Sequence, residues 1–320
     1  MKLSVLTVPF SQSSLSEVLP YLRSLGVESV ELGTGGVTNK SHCDPDVLLH
    51  DHAKVGELKR MLRDNGMSIS ALSCHGNPVH PDRCHAEADH KAFVDTLHLA
   101  NLLGVDTVVT FSGCPGGSRE DRTPNWITCP WPDDFARGLD YQWNEVLIPY
   151  WQNAAQMAEQ AGVRVAIELH PGFCVHNPEA MLRLRHAVGK TIGANFDPSH
   201  LFWQGVDPVA AVRLLGDCIY HVHAKDCRID SLNVGRNGVL DTKSYGLVRD
   251  RSWVFRTVGF GHGESVWRDI ISELRLTGYD RAISIEHEDG LMSIKEGMEK
   301  AVSLLKPILI DGSDTKMWWI

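Results

Sequence analysis

The feature that most constrains this chain is an alternation repeated eight times. Short β-branched runs, "LSVLTV" (3–8), "SVELG" (29–33), "SISALS" (68–73), "DTVVTF" (106–111), "RVAIEL" (164–169), "IGANFD" (192–197), "IYHVHA" (219–224) and "RAISIE" (281–286), are separated by segments with helical periodicity. In the segment 87–104, for example, Phe93, Leu97, Ala100 and Leu103 share one helical face. Glycines at 26, 66, 104, 162, 189, 216 and 278 close helical segments shortly before the next strand, as left-handed helix stops do. Strand–helix alternation implies a parallel sheet, and eight units imply an α/β fold of the closed (β/α)8 TIM-barrel type. A doubly wound sheet is the alternative. Its phosphate-binding fingerprint is missing, because "VPFSQSS" after the first strand contains no glycine. No low-complexity segment or Gly/Ser linker divides the chain, so residues 1–310 read as one barrel domain and 311–320 as a C-terminal tail.

Composition narrows the partners. With 43% apolar residues the chain can fill a large core, and a net charge of −9 leaves no basic footprint for nucleic acid or a membrane surface. The opening apolar run is too short for a signal h-region and reads as the first strand. Nothing approaches the ~20 continuous apolar residues of a membrane span. Eight scattered cysteines without a CxxC pair read as free thiols of a cytoplasmic protein.

Two connections are oversized: 112–140 after the fourth strand and 225–263 after the seventh. Long structured loops in a compact domain are usually functional, and in a barrel the loops after strands cover the active-site mouth. Four consecutive strands end in an acid or imidazole on that side: Glu168 in "AIELHP", Asp197 in "NFDPSH", His223 in "YHVHAKD" and Glu286 in "SIEHED". Any one of them is explained as well by a helix cap, a salt bridge or a core histidine. Four at corresponding positions would converge within a few ångströms, where three carboxylates repel and protonate unless a cation holds them. Such an oxygen-rich set suits an open divalent-metal site, Mn²⁺ or Mg²⁺ first, with Co²⁺ or Zn²⁺ also compatible.

The set "IELHP…NFDPSH…HVHAKD…SIEHED", in this order and strand placement, resembles the xylose isomerase-like barrel superfamily, in particular the sugar phosphate isomerase/epimerase family. The resemblance covers essentially the whole chain and is most specific from Arg164 to Asp289. It implies that Glu168, Asp197, His223 and Glu286 ligate the metal. It also implies that Glu168 and Glu286 act as acid and base on a carbohydrate, as in the family's ketose 3-epimerases, and that His200 touches metal water or substrate.

The residues around this set add substrate contacts. His75 and Asn77 in "SCHGNPVHP" lie just past the third strand, in reach of sugar hydroxyls. His170 follows Glu168 by two residues and Lys225 follows His223 by two, so each shares a strand face with a ligand. Arg256 precedes a Gly-rich turn, "VGFGHG", that reads as a lid or an anion cradle. Trp126, Trp131 and Trp143 offer stacking surfaces around the first long loop, with Trp131 expected against substrate. The tail "DGSDTKMWWI" reads as docking on a neighbour, as in a homo-oligomer, or on the barrel floor.

The expected chemistry is proton transfer beside a sugar carbonyl that chelates the metal with its neighbouring hydroxyl, through an enediolate. Return of the proton to the same carbon epimerises; return to the neighbour isomerises. Loss of a leaving group instead would make a lyase acting on oxidised (3-keto) glycosides. An abasic-site endonuclease shares this barrel, but its Asp-x-His pair reads Phe260-Gly261-His262 here, and the acidic balance disfavours a phosphate backbone. A sugar-binding protein without catalysis is disfavoured because both glutamates are intact.

Overall fold

The computed structural model describes residues 1–310 together with Gly312, Met317 and Trp319. Ten strands occur among them: β1 (Lys2–Leu6), β2 (Ser29–Gly36), β3 (Ser68–His75), β4 (Thr107–Phe111), β5 (Arg164–Glu168), β6 (Ile192–Phe196), β7 (Ile219–Ala224), β8 (Asp226–Ile229), β9 (Trp253–Arg256) and β10 (Ala282–Ile285). Eight of them close into a barrel in the order β1-β10-β7-β6-β5-β4-β3-β2. Every neighbouring pair in the barrel is parallel. The remaining two, β8 and β9, form an antiparallel ribbon inside the segment that the sequence reads as a long loop after β7.

Period-two alternation explains how one strand serves two environments. Val165 and Ile167 belong to the main apolar cluster between barrel and helices, whereas Ala166 belongs to a small cluster with Ala71 and Val109. Continuing that alternation brings Glu168 onto the same face as Ala166. The same rule pairs Asn195 with Asp197, His221 with His223, and Ser284 with Glu286. These polar residues lie toward the carboxyl ends of the strands, so they gather at the mouth and not at the floor.

The helices start and stop where the sequence places them. Asp82 caps the helix Arg83–Leu103 by accepting from the amides of Cys84 and His85, and Gly104 ends it at φ 78°. All seven glycines read as helix stops have positive φ. The segment after β4 differs from expectation. A helix begins at Asp133 and runs through a π-helical stretch, Tyr141–Leu147, into Ile148–Gln160, so only 112–132 is irregular. Pro132 followed by Asp133 and Asp134 supplies an acidic helix start. The amino group of Met1 binds Asp280 Oδ1 and the carbonyl of Ile310, both at 2.8 Å, on the barrel floor. The docking expected for the tail falls largely outside the described residues. Among the described residues no helix is long and apolar enough to cross a membrane.

Candidate metal centre and active site

Each of the four strand-end residues reaches one point above the barrel. Glu168, Asp197, His223 and Glu286 each present one ligand atom, and these atoms all lie within 4.8 Å of one another. Asp197 has an oxygen for each of the two readings, helix cap and candidate ligand. Its Oδ1 accepts from the Ser199 amide at 2.8 Å and caps the short helix Pro198–Phe202, which leaves Oδ2 for the site. Asp197 Oδ2, His223 Nδ1 and Glu286 Oε2 are buried and make no well-formed hydrogen bond; their neighbours within 3.3 Å are one another, Glu168, His200 and the Lys225 ammonium. Lone-pair atoms of three carboxylates and an imidazole gathered around one point, with a single ammonium beside them, fit a divalent cation.

Histidines and amides fix the first carboxylate. Glu168 Oε2 accepts from His75 Nε2 at 2.9 Å and Asn195 Nδ2 at 3.0 Å, and Oε1 lies 3.1 Å from His200 Nε2. Burial alone would raise its pKa; His75, His200 and His223 outweigh that and hold it well below the usual range. Glu286 is likewise held low against burial, by Lys225 and His223. Asp197 goes the other way, pushed up to about 7 by burial and by Glu168 and Glu286, with Lys225 opposing. Lys225 is buried among these acids, its Nζ 3.1 Å from Asp197 Oδ2, 2.8 Å from Glu286 Oε2 and 3.2 Å from Glu288 Oε2. It occupies the place of a counter-charge to the same oxygens that a metal would bind.

Beneath His223 lies a residue the sequence reading missed. Glu31, on β2 and fully buried, accepts from Ser73 Oγ, from His221 Nε2 at 2.9 Å, and from His223 Nε2 at 2.9 Å. An ionised carboxylate only accepts, so His223 must carry a proton on Nε2. Its Nδ1 then points at Glu168 Oε2 (3.3 Å) and Glu286 Oε2 (3.1 Å). Two carboxylates around Nδ1 invite either a second proton or a cation, and with Glu31 they raise the imidazole pKa well above normal despite burial. A histidine whose other nitrogen is bound to a carboxylate is the usual arrangement of a metal-ligating imidazole. Period two gave a signal for His221, two residues before His223; nothing local marked Glu31 as more than a mid-strand acid.

The expected substrate contacts divide. His75 and His200 both touch Glu168, as above. His170 packs on His200, ring centroids 4.0 Å apart, with its Nδ1 at 2.6 Å from the Pro171 carbonyl. Asn77 is committed elsewhere. Its amide donates to the Cys114 carbonyl at 2.9 Å and accepts from the Cys114 amide at 3.0 Å, pinning the loop after β4. Arg256 binds Asp289 Oδ2 through Nε at 3.0 Å. The Gly-rich turn after it is neither a vacant cradle nor a free lid. Asp226 Oδ2 accepts from the amides of Gly259, Gly261 and His262 at 2.9–3.0 Å, so the chain supplies its own anion. His262 is bound to Asp226 at 2.8 Å and stacked on Phe202, apart from the candidate ligand groups among the described residues. Trp143 is buried, whereas Trp131 is 73% exposed.

Comparison with known proteins agrees with this architecture. The family model described as xylose isomerase-like TIM barrel matches residues 19–308. The chain is 39% identical to the uncharacterized protein YfiH of Bacillus subtilis over 310 residues, covering 96% of this chain and 98% of that one. Two solved structures share the fold at low identity. One, titled a probable 3-DHS dehydratase, AsbF, involved in petrobactin synthesis from Bacillus anthracis, has a TM-score of 0.65 at 20% identity, covering 96% of this chain and 99% of that chain. The other, a D-tagatose 3-epimerase-like protein, has a TM-score of 0.65 at 18% identity, covering 96% and 97%.

Proposed function

Because the chain belongs to the xylose isomerase-like TIM barrel family, we propose that it is a divalent-metal-dependent isomerase or epimerase of a sugar or sugar derivative. The observation that carries this reading is the convergence of one ligand atom each from Glu168, Asp197, His223 and Glu286, all within 4.8 Å of one another. These four residues would hold the ion, and the ion, when bound, would polarise a substrate carbonyl and so acidify the adjacent C–H.

The chain's own residues then divide the work. Glu168, kept ionised and fixed by His75, Asn195 and His200, is positioned to take that proton. Proton return by the same carboxyl to the neighbouring carbon isomerises. Return to the opposite face requires a proton on Glu286, and Lys225, 2.8 Å away, is the adjacent donor for it. His200 and His170 face the mouth beside Glu168 and can orient hydroxyls. Elimination from the same carbanion is a second reading, favoured by the fold likeness to a protein titled a probable dehydratase. Product analysis separates the two, since only elimination expels water or an aglycone.

The test is turnover of a panel of ketoses and oxidised glycosides in D₂O by the metal-loaded protein. Product should carry solvent deuterium at the carbon beside the carbonyl. Glu168→Gln and Glu286→Gln, which keep shape and remove the base, should each lower the rate by at least ~10²-fold. Deuterium-free product, or Gln variants with undiminished rate, would overturn the two-carboxylate mechanism.

A further inference from the structure

The region after β7 builds a second compartment beside the ligand set. A cavity of about 430 Å³ opens between the β8–β9 ribbon and the loop after β10, its lining including His170, Tyr245, Phe255, Arg256, Glu288 and Leu291. None of the four candidate ligands lines it. It nevertheless adjoins them. Phe255 lies 4.8 Å from Lys225 Nζ and 5.3 Å from the His200 ring, and Glu288 is 3.2 Å from the same Nζ.

The lining is mostly apolar, with Arg256 and Glu288 as its two charged side chains and Glu288 on the side that meets Lys225. The Tyr245 and Phe255 rings run nearly parallel, at 14° and 5.8 Å. Around the opening, Tyr245 is 59% and Leu291 60% exposed, large apolar surfaces left to solvent beside a concave wall. The nearest charges are already engaged, Arg256 with Asp289 and Glu288 with Lys225. A bare polyol placed there would strip water from its hydroxyls and meet few partners in return. An apolar or aryl group would meet a matching surface.

The geometry points to a two-part substrate: an oxygen-rich sugar end at the four ligands, carrying an apolar or aromatic substituent that lodges under the ribbon. This deepens the function proposed above and rests on it. The substrate class is therefore a substituted sugar, such as an aryl glycoside or its oxidised form, and not a free monosaccharide.

Hydroxamates test this without knowing the sugar, because their two oxygens chelate a divalent ion and their substituent is free to vary. Binding of acetohydroxamate, benzohydroxamate and 3-phenylpropionohydroxamate to the Mn²⁺-loaded full chain is measured by calorimetry. At least one phenyl-bearing member should bind ~10-fold or more tighter than acetohydroxamate, the modest end of burying such a ring. Tyr245→Ala and Leu291→Ala, at exposed positions that do not endanger folding, should together reduce that ratio below ~3-fold with acetohydroxamate affinity unchanged. Equal binding of the series, or a ratio that survives in the double variant, overturns this inference and leaves the metal reading standing. Failure of every hydroxamate to bind overturns the metal reading and this inference with it.

Discussion

Glu31 gives the sharpest test of the site because it touches the metal set only through His223. Its carboxylate accepts from Ser73, His221 and His223, two of these bonds from imidazoles at 2.9 Å. Glu31→Gln keeps the volume and one acceptor oxygen. That oxygen can still face Ser73 and His223 while the new amide group turns to His221, so the His223 tautomer survives on a neutral acceptor. Charge-assisted bonds are roughly twice as strong as neutral ones, and loss of such an outer partner typically costs 10–100-fold in metal affinity. The Gln variant belongs at the lower end, ~10-fold or about 1.4 kcal/mol. Glu31→Leu removes every acceptor and frees His223 to place its proton on Nδ1, against the metal, so its loss should reach ~100-fold or about 2.7 kcal/mol. Apo-protein of each variant is titrated with Mn²⁺ and Zn²⁺ against a chelating indicator, and circular dichroism confirms the fold. Wild-type affinity in both folded variants would refute the reasoning that Glu31 sets the ligand nitrogen of His223.

Three further outcomes follow from particular contacts. His223→Ala should leave a folded protein with sharply reduced metal content by elemental analysis; full occupancy would remove His223 from the ligand set. Gly261→Ala should lower thermal stability by an amount equivalent to ~1–3 kcal/mol, because its Cβ would lie 2.2 Å from the Cys227 carbonyl oxygen and 2.5 Å from Asp226 Oδ1. An unchanged melting temperature there would mean the turn is not anchored on Asp226. Trp131→Ala should change stability by less than ~0.5 kcal/mol and leave KM unaltered, since this side chain is 73% exposed; a severalfold rise in KM would restore the substrate contact expected from the sequence.

The barrel was legible because its strands and helix stops are local signals. Alternation within "RVAIE" and "IYHVHA", and a glycine before the next strand, need no tertiary information. The misreadings lie where two local signals compete. The strand read as "SVELG" (29–33) runs on through "TGG", where Gly36 still pairs with His75. The ribbon strands are four residues each, too short for periodicity, and are held by pairing with one another across a helix that lies between them in the chain. The Gly-rich turn looked like an anion site because its amides do converge; only the fold reveals that Asp226 fills it.

The site was legible to the same depth and no further. An acid at the end of a buried strand is costly enough to demand an explanation from sequence alone, and three of them with a histidine at equivalent ends locate a common point once the barrel closes. What sequence cannot supply is which atom of each residue faces that point. His223 illustrates this, since Glu31, 192 residues away in sequence, takes the Nε2 proton and so turns Nδ1 toward the carboxylates. Lys225 is the complementary case. Strand parity put it on the ligand face, but a lysine there can serve substrate or neutralise acids, and parity is blind to the difference. In the folded chain it lies within 3.2 Å of Asp197, Glu286 and Glu288, so one side chain balances part of the charge that the metal would otherwise carry alone. Loading the centre therefore competes with Lys225 for Asp197 Oδ2 and Glu286 Oε2, and an ammonium released from those oxygens stands beside Phe255, where the ligand set meets the ribbon cavity.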